Sequence, residues 1–209
     1  EHPVACAVAL ADKLDALAGL FGIGQAPTGE RDPFGLRRAA LGVVRLLVEG
    51  QLPLDTNDFL PAGSPVQTFV LERARGYFEE RGYSANEVES VLSLKPARFD
   101  LVPRQLEAVR AFSALAEAES LAAANKRIGN ILKQAEAVPD GYSVELMTQP
   151  EEKSLLSAFT VMKPNLEGAF DSGDYTGALK VLASLKAPVD AFFDKVMVMD
   201  KDPRVRANR

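Results

Sequence analysis

A short run of polar side chains on an alanine-rich segment offers the best candidates for ligand contacts. Lys126, Asn130 and Lys133 are spaced four and three residues apart, so a helix places them on one face, with Arg127 beside them. Side chains of these types on one helix face reach phosphates and base edges. Gly129, which costs about 1 kcal/mol relative to alanine in mid-helix, indicates close helix packing or close approach of a ligand. The alternative is an ordinary solvated face.

Two further arginines fall on predicted helices in the middle of the chain. Arg73 follows Phe69, and Arg104 follows Phe99. Arginine with exposed aromatic rings is typical of sites that stack unpaired bases, although rings at helical spacing more often belong to a core. Residues 66–133 contain 10 basic and 9 acidic side chains, a balance of +1, whereas 1–65 and 134–209 each stand at −3. The middle stretch is therefore where we expect an anionic partner.

A loop rich in glycine and proline, residues 22–30, leads into a helix that carries Arg37 and Arg38 near its start. Free backbone N–H groups and two guanidinium groups could hold a phosphate there. However, the sequence predicts Asp32 as the N-cap, with Pro33 in the first turn, which occupies those donors. The favoured interpretation is that the arginines pair with nearby carboxylates.

Catalysis and metal binding are poorly supported by the composition. The chain has 209 residues, a net charge of −5, and one histidine (His2) and one cysteine (Cys6). These counts exclude an internal disulfide framework, fit a cytoplasmic location, and leave no Cys/His metal cluster. Asp12 could end the ligand set of an HD-type phosphohydrolase, but that site needs several histidines. We therefore expect no catalytic residue, no metal and no bound cofactor.

Proline and glycine residues, which interrupt regular elements, divide the chain into nine or ten predicted helices, and no segment has a convincing strand pattern. The fold class is therefore all-α, a helical bundle in two packed regions. We expect domains at residues 1–60 and 66–209, joined by a linker at 61–65 within a proline-rich stretch. Val4 and Val8 are expected to pack in the first helix, and a long helix is expected from Glu119 to Val138, ending at a turn that begins with Pro139. No apolar run approaches a membrane span, and no signal peptide is expected.

Four runs, in order and spanning nearly the whole chain, resemble the beta subunit of bacterial glycyl-tRNA synthetase. Together they are far more specific than a single short motif. They are ALADKLD (9–15) with FGIG (21–24), PTGERDPFGLRRAALG (27–42), AAANKRIGNIL (122–132) and PVDAFFDKVMVM (188–199).

This resemblance implies an ATP-dependent glycine–tRNA ligase of two alpha and two beta subunits, in which the alpha subunit carries the aminoacylation site. The present chain would be a C-terminal portion of the beta subunit. It would comprise the end of an HD-like region (1–60) and a DALR-type anticodon-binding domain (66–209), with the last helix truncated. The partners implied are glycine tRNA and the alpha subunit, with neither DNA nor a membrane, and ATP is used by the whole enzyme only.

We expect this chain to recognise the anticodon region and to make no bonds itself. Glycine tRNAs carry two adjacent cytosines there, whose edges need both a donor and an acceptor from the protein. The candidate contacts are Arg73, Arg104, Lys126, Arg127 and Asn130. Two alternatives stay open at this point: a helical module that docks the alpha subunit, and the scaffold of a former HD phosphohydrolase.

Overall fold

The computed structural model describes residues 2–135 and 140–209. The described residues form helices and contain no strand, apart from one isolated bridge between Thr28 and Arg31. The all-α prediction is confirmed. The predicted helix end at Val138 and the turn at Pro139 lie outside the described residues.

The α-helices run over Pro3–Gly22 (α1), Leu36–Glu49 (α2), Pro65–Glu79 (α3), Ala85–Leu92 (α4), Val102–Ser113 (α5), Ala118–Gln134 (α6), Pro150–Asp171 (α7), Tyr175–Ala183 (α8), Lys186–Lys195 (α9) and Pro203–Asn208 (α10).

The chain divides into two compact units, Glu1–Val109 and Arg110–Arg209. This division differs from the boundary at 61–65 that the prolines suggest. The prolines interrupt the helices, yet α2 and α3 on either side pack against each other, and Leu60 and Val70 join one core. A proline-rich stretch therefore marks a turn within the first unit.

The first unit is built on a continuous apolar core. Amphipathic α2 supplies fully buried valines and two fully buried leucines, and it packs against α1 and α3. Helix α4 packs against α3, and side chains of α5 complete the core. Val4 and Val8, expected to be packed, are instead 63% and 64% exposed on the outer side of α1. The face of α1 that is buried carries Leu10 and Leu17, and it points at α2.

Side-chain caps set several helix starts as the sequence predicts. The Ser64 hydroxyl accepts from the Gln67 N–H at the start of α3, and Ser84 forms a reciprocal capping box with Glu87 at the start of α4. At α2 the prediction was wrong in detail, because the helix begins at Leu36 after Gly35 in the left-handed conformation. Asp32 still accepts from its first N–H groups, reaching over that turn.

The second unit packs α7 against α8 and α9, and α6 against α9. Few of its described residues are buried: hydrophobic Met162, Ala178, Ala183, Phe192 and Val196, together with Glu152. No residue of α6 is buried. This unit therefore presents most of α6 to its surroundings. Within the described residues, no helix is long and apolar enough to cross a membrane.

Candidate nucleic-acid interface

The exposed polar face of α6 is formed by the residues that the sequence singled out. Lys126, Asn130 and Lys133 lie on successive turns of one helix, and all three are exposed. Within the part of the chain that the structure describes, the side chains of Lys126 and Asn130 make no hydrogen bond or ion pair. The ammonium group and the amide are therefore available to a ligand.

Arg127 belongs to a different side of α6. Its guanidinium carbon lies 4.3 Å from the centre of the Phe193 ring on α9, a cation–π distance. On the same side, the Ser120 hydroxyl donates to Asp190 Oδ1 across 3.1 Å. These two contacts join α6 to α9 and fix which face of α6 remains open.

Asp190 sits at the centre of this helix contact. Lys186 donates to its Oδ2 across 2.6 Å, and this hydrogen bond is the main reason that the pKa of Asp190 is lowered. The same bond raises the pKa of Lys186. Both groups therefore stay charged near neutral pH, and the contact with Ser120 keeps its acceptor.

Gly129 lies between Lys126 and Lys133 along α6. A Cβ atom added there would meet nothing within 4 Å in the described residues, so close helix packing does not explain the glycine. Close approach of a ligand, the other explanation that the sequence offers, stays a prediction.

Arg73 and Arg104 belong to the first compact unit, whereas the candidate residues on α6 belong to the second. Arg73 Nη2 is 3.5 Å from Glu72 Oε2, and its guanidinium carbon is 5.3 Å from the Phe69 ring centre. Arg73 Nε is buried without a hydrogen-bond partner among the described residues. Arg104 is exposed on α5. The structure thus places three of the five candidates on one helix and two elsewhere.

A buried ion pair that the sequence did not reveal holds α10 in the second unit. Arg209 Nε donates to Glu152 Oε1 across 3.0 Å, and the two side chains are 2% and 4% exposed. Arg209 Nη1 also donates to Asp200 Oδ2 across 2.8 Å. The hydrogen bond to Glu152 is the leading cause of the raised pKa of Arg209. These contacts of Arg209 with Glu152 and Asp200, called the clamp below, hold α10 in place, and Arg204 and Arg206 of that helix are exposed.

No signal in the sequence could have found this clamp, because Glu152 and Arg209 are 57 positions apart. Glu152 has a local role that was in principle visible. Its Oε2 accepts from the Gln149 N–H at the start of α7, which forms a capping box. One carboxylate therefore caps α7 and receives the guanidinium.

The phosphate site considered at the start of α2 is already filled by protein groups. Asp32 oxygens accept from the N–H groups of Leu36 and Arg37 across 2.8 and 3.0 Å. Burial pushes the pKa of Asp32 up, but the two backbone hydrogen bonds together with the nearby charges of Arg37 and Arg38 outweigh it, and the pKa is lowered overall. An anion at this helix start would have to displace an ionised carboxylate.

Nothing in the described part of the chain forms a metal centre: no group of three or more His, Cys, Asp or Glu side chains there could hold an ion. Asp12 and Asp15, the carboxylates considered for an HD-type site, are exposed on α1. The arrangement that remains is one of cations and an amide on a helix surface, which suits binding.

Comparison with known proteins matches the two halves of the chain to two family models. Residues 1–93 match "Glycyl-tRNA synthetase beta subunit", and residues 121–209 match "DALR anticodon binding domain". The second match contains most of α6 and the whole of α7 to α10.

Curated relatives are similar along the whole chain. The glycine–tRNA ligase beta subunit of Thiobacillus denitrificans is 54% identical over 223 residues, covering 100% of this chain and 32% of the relative. That of Acidovorax sp. is 52% identical over 218 residues, covering 99% and 30%. That of Janthinobacterium sp. is 49% identical over 222 residues. The chain spans about a third of the length of these relatives.

Proposed function

Because the chain belongs to the glycyl-tRNA synthetase beta subunit family, we propose that it binds the anticodon region of glycine tRNA through the exposed face of α6. The observation that carries this proposal is the availability of Lys126 and Asn130, which are exposed on one face and engaged by no described residue. That face lies within the stretch that matches a DALR anticodon binding domain.

The chemistry of the face suits an unstacked cytosine beside a phosphate. The Asn130 amide offers both a donor and an acceptor, which complement the N3 or O2 acceptor and the N4 donor of cytosine. The Lys126 ammonium supplies a point charge for the RNA backbone. Lys133, one turn further on, extends the same charge along the helix.

The other candidates contribute in different ways. Arg127 is a positioning residue in this proposal, because its guanidinium covers Phe193 and holds α6 on α9. Arg104, exposed on α5, is a candidate phosphate contact in the first unit. Arg73 is the weakest of the five, since Glu72 and Phe69 already engage it.

In the full ligase, this chain would act in the cytoplasm with an alpha subunit that performs the ATP-dependent aminoacylation. Its own part would be recognition, and we assign it no catalytic residue, metal or cofactor. These roles rest on family membership and on the relatives' name, "Glycine–tRNA ligase beta subunit".

A second candidate function is docking of the alpha subunit by the first unit. The observation that favours it is the exposure of Val4 and Val8 on α1, in a stretch with an acidic balance. Pull-down of the alpha subunit without tRNA tests this candidate, and loss of capture by Val8→Asp would support it. Capture that is unaffected by Val4→Asp and Val8→Asp would contradict it.

The test of the proposed function compares matched variants for binding to glycine tRNA. Lys126→Ala should weaken binding and lower the slope of log affinity against log salt by about one unit, as loss of one phosphate contact does. Asn130→Ala should cost roughly 1–3 kcal/mol of binding free energy if the amide reads a base.

The control is Lys163→Ala, since Lys163 is an exposed lysine on α7 in the same unit. It removes the same charge from a different surface and should leave the affinity close to that of the wild type. Equal binding by wild type, Lys126→Ala and Asn130→Ala would contradict the proposal.

A further inference from the structure

Residues 28–38, which are the loop before α2 and the first three residues of that helix (the 28–38 loop below), are held by contacts among themselves. Thr28 and Arg31 exchange two backbone hydrogen bonds, with N···O distances of 3.2 and 2.9 Å. The Arg37 guanidinium donates back to the carbonyl of Gly29, and the Asp32 carboxylate caps α2. Because these hydrogen bonds already restrict the backbone, the loop loses little further conformational entropy when it binds a partner.

This loop presents a ring and cations to solvent. The Phe34 side chain is 54% exposed, and Arg31 and Arg38 are both exposed. Arg38 folds back over Gly35, where an added Cβ atom would lie only 3.3 Å from Arg38 Nη2. The Arg38 guanidinium therefore lies beside the backbone that carries Phe34.

The charge of the loop favours an anionic partner. Three arginines (31, 37 and 38) face two acidic residues, Glu30 and Asp32. The Asp32 carboxylate accepts from two backbone N–H groups. Arg37 donates to the carbonyl of Gly29, which is uncharged, so this hydrogen bond does not neutralise the guanidinium group. Since the N–H groups at the start of α2 are taken by Asp32, an anion would be held by guanidinium groups, with the Asp32 carboxylate close to Arg37 and Arg38.

We propose that the 28–38 loop is a second RNA contact, at which an unpaired nucleotide stacks on Phe34 while Arg31 and Arg38 hold its phosphates. Exposed aromatic rings with neighbouring arginines are the usual means of binding single-stranded nucleotides. The inference rests on the proposed function in that both place RNA on this chain, but it concerns the other compact unit. The loop is less suited to binding a protein partner, because stable protein interfaces bury about 800 Å² on each side and this loop offers one exposed ring.

The experiment measures binding of the whole chain to two RNAs: glycine tRNA, and an unstructured single-stranded octamer without an anticodon stem. The variants are Phe34→Ala, Phe34→Tyr and Arg31→Gln. The control is Ile23→Ala, because Ile23 is an apolar side chain that is even more exposed than Phe34 (71%) and has no ring.

We expect Phe34→Ala to weaken octamer binding about tenfold, within the range for loss of one stacked base, and Phe34→Tyr to restore it. Arg31→Gln should lower the salt slope by about one unit. Ile23→Ala should bind as the wild type does. Amide resonances of Arg31, Asp32, Phe34 and Gly35 should shift when the octamer is added.

Several outcomes would overturn the inference. Octamer binding that is insensitive to Phe34→Ala, or resonances of these four amides that do not move, would do so even if Lys126→Ala weakens tRNA binding. A loop that binds an acidic peptide but no RNA would also overturn it. Conversely, tRNA binding that ignores the α6 variants while the octamer responds to Phe34→Ala would contradict the proposed function and leave this contact standing.

Discussion

Arg209 and Glu152 form a two-point ion pair in the second unit, with Nε 3.0 Å from Oε1 and Nη2 3.3 Å from Oε2. Both side chains are almost completely buried. Arg209 also donates to the carbonyl of Met197, and the neighbouring Asn208 accepts from the Ser143 N–H across 2.6 Å. Two consecutive residues thus tie α10 to two separate loops.

Removing one member of this pair should be strongly destabilising, because it leaves the other charge buried without a partner. We expect Arg209→Ala to lower the free energy of unfolding by roughly 3 kcal/mol, the lower end for a buried pair. Urea unfolding followed by circular dichroism measures this.

The control for that pair is Lys163→Ala, which breaks an exposed ion pair with Glu167 and should cost about 0–1 kcal/mol. If Arg209→Ala proves as mild as the control, the clamp is not a significant source of stability.

The Asp32 carboxylate at the start of α2 should make the free energy of unfolding depend on pH in the acid range. The pKa of Asp32 is lowered, so its ionised form stabilises the fold above its ordinary pKa near 4, and this contribution disappears as pH falls through the lower folded value. Asp32→Asn should therefore show a shallower loss of stability below about pH 4 than the wild type. Urea midpoints at several pH values between 2.5 and 6 test this, and parallel curves for the two proteins would refute it.

The side of α6 that faces α9 should gain stability from Arg127 and Phe193 together. Arg127→Ala and Phe193→Leu each remove the cation–π contact, which is worth about 0.5–1 kcal/mol at an exposed site. A double-mutant cycle on the free energy of unfolding should give a coupling of that size. A coupling of zero would mean that the contact does not position α6.

Gly129 should trade stability against binding. Alanine has open space at this position and favours a helix by about 1 kcal/mol, so Gly129→Ala should raise the melting temperature. If RNA approaches the α6 backbone there, the same substitution should weaken tRNA binding.

Gly168→Ala in α7 is the matched control, since a Cβ there is equally unobstructed. It should stabilise the protein without changing its affinity for tRNA. Unchanged binding by both variants would remove close approach at Gly129 from the account.

Local sequence signals predicted local structure well. The capping box at Ser84 and Glu87 needs only residues three positions apart, and the helix it starts is present. The polar face of α6 was equally visible, because Lys126 and Asn130 are one turn apart. Asp32 was correctly predicted to accept from N–H groups at the start of this helix, but the turn at Gly35, with φ of +67°, delays the helix to Leu36, so Asp32 is not its N-cap.

Long-range relationships could not be predicted. Nothing near Arg127 indicates that Phe193 will cover it, and whether an arginine is exposed to a ligand or stacked on a ring depends on tertiary packing. The linker expected at 61–65 stays a prediction of domain organisation; the packing of α3 on α2, which places both helices in one compact unit, is invisible in local composition. Val4 and Val8 are exposed because α1 is apolar on more than the side that α2 covers.

Recognition of the glycine tRNA anticodon by this chain, as proposed above, is tested by a ratio of two dissociation constants. Wild-type chain is titrated with glycine tRNA and with the same tRNA in which both anticodon cytosines are replaced by adenine. Each lost base contact costs roughly 1–3 kcal/mol, so we predict that the substituted tRNA binds at least about tenfold more weakly. Equal dissociation constants for the two tRNAs would contradict the account.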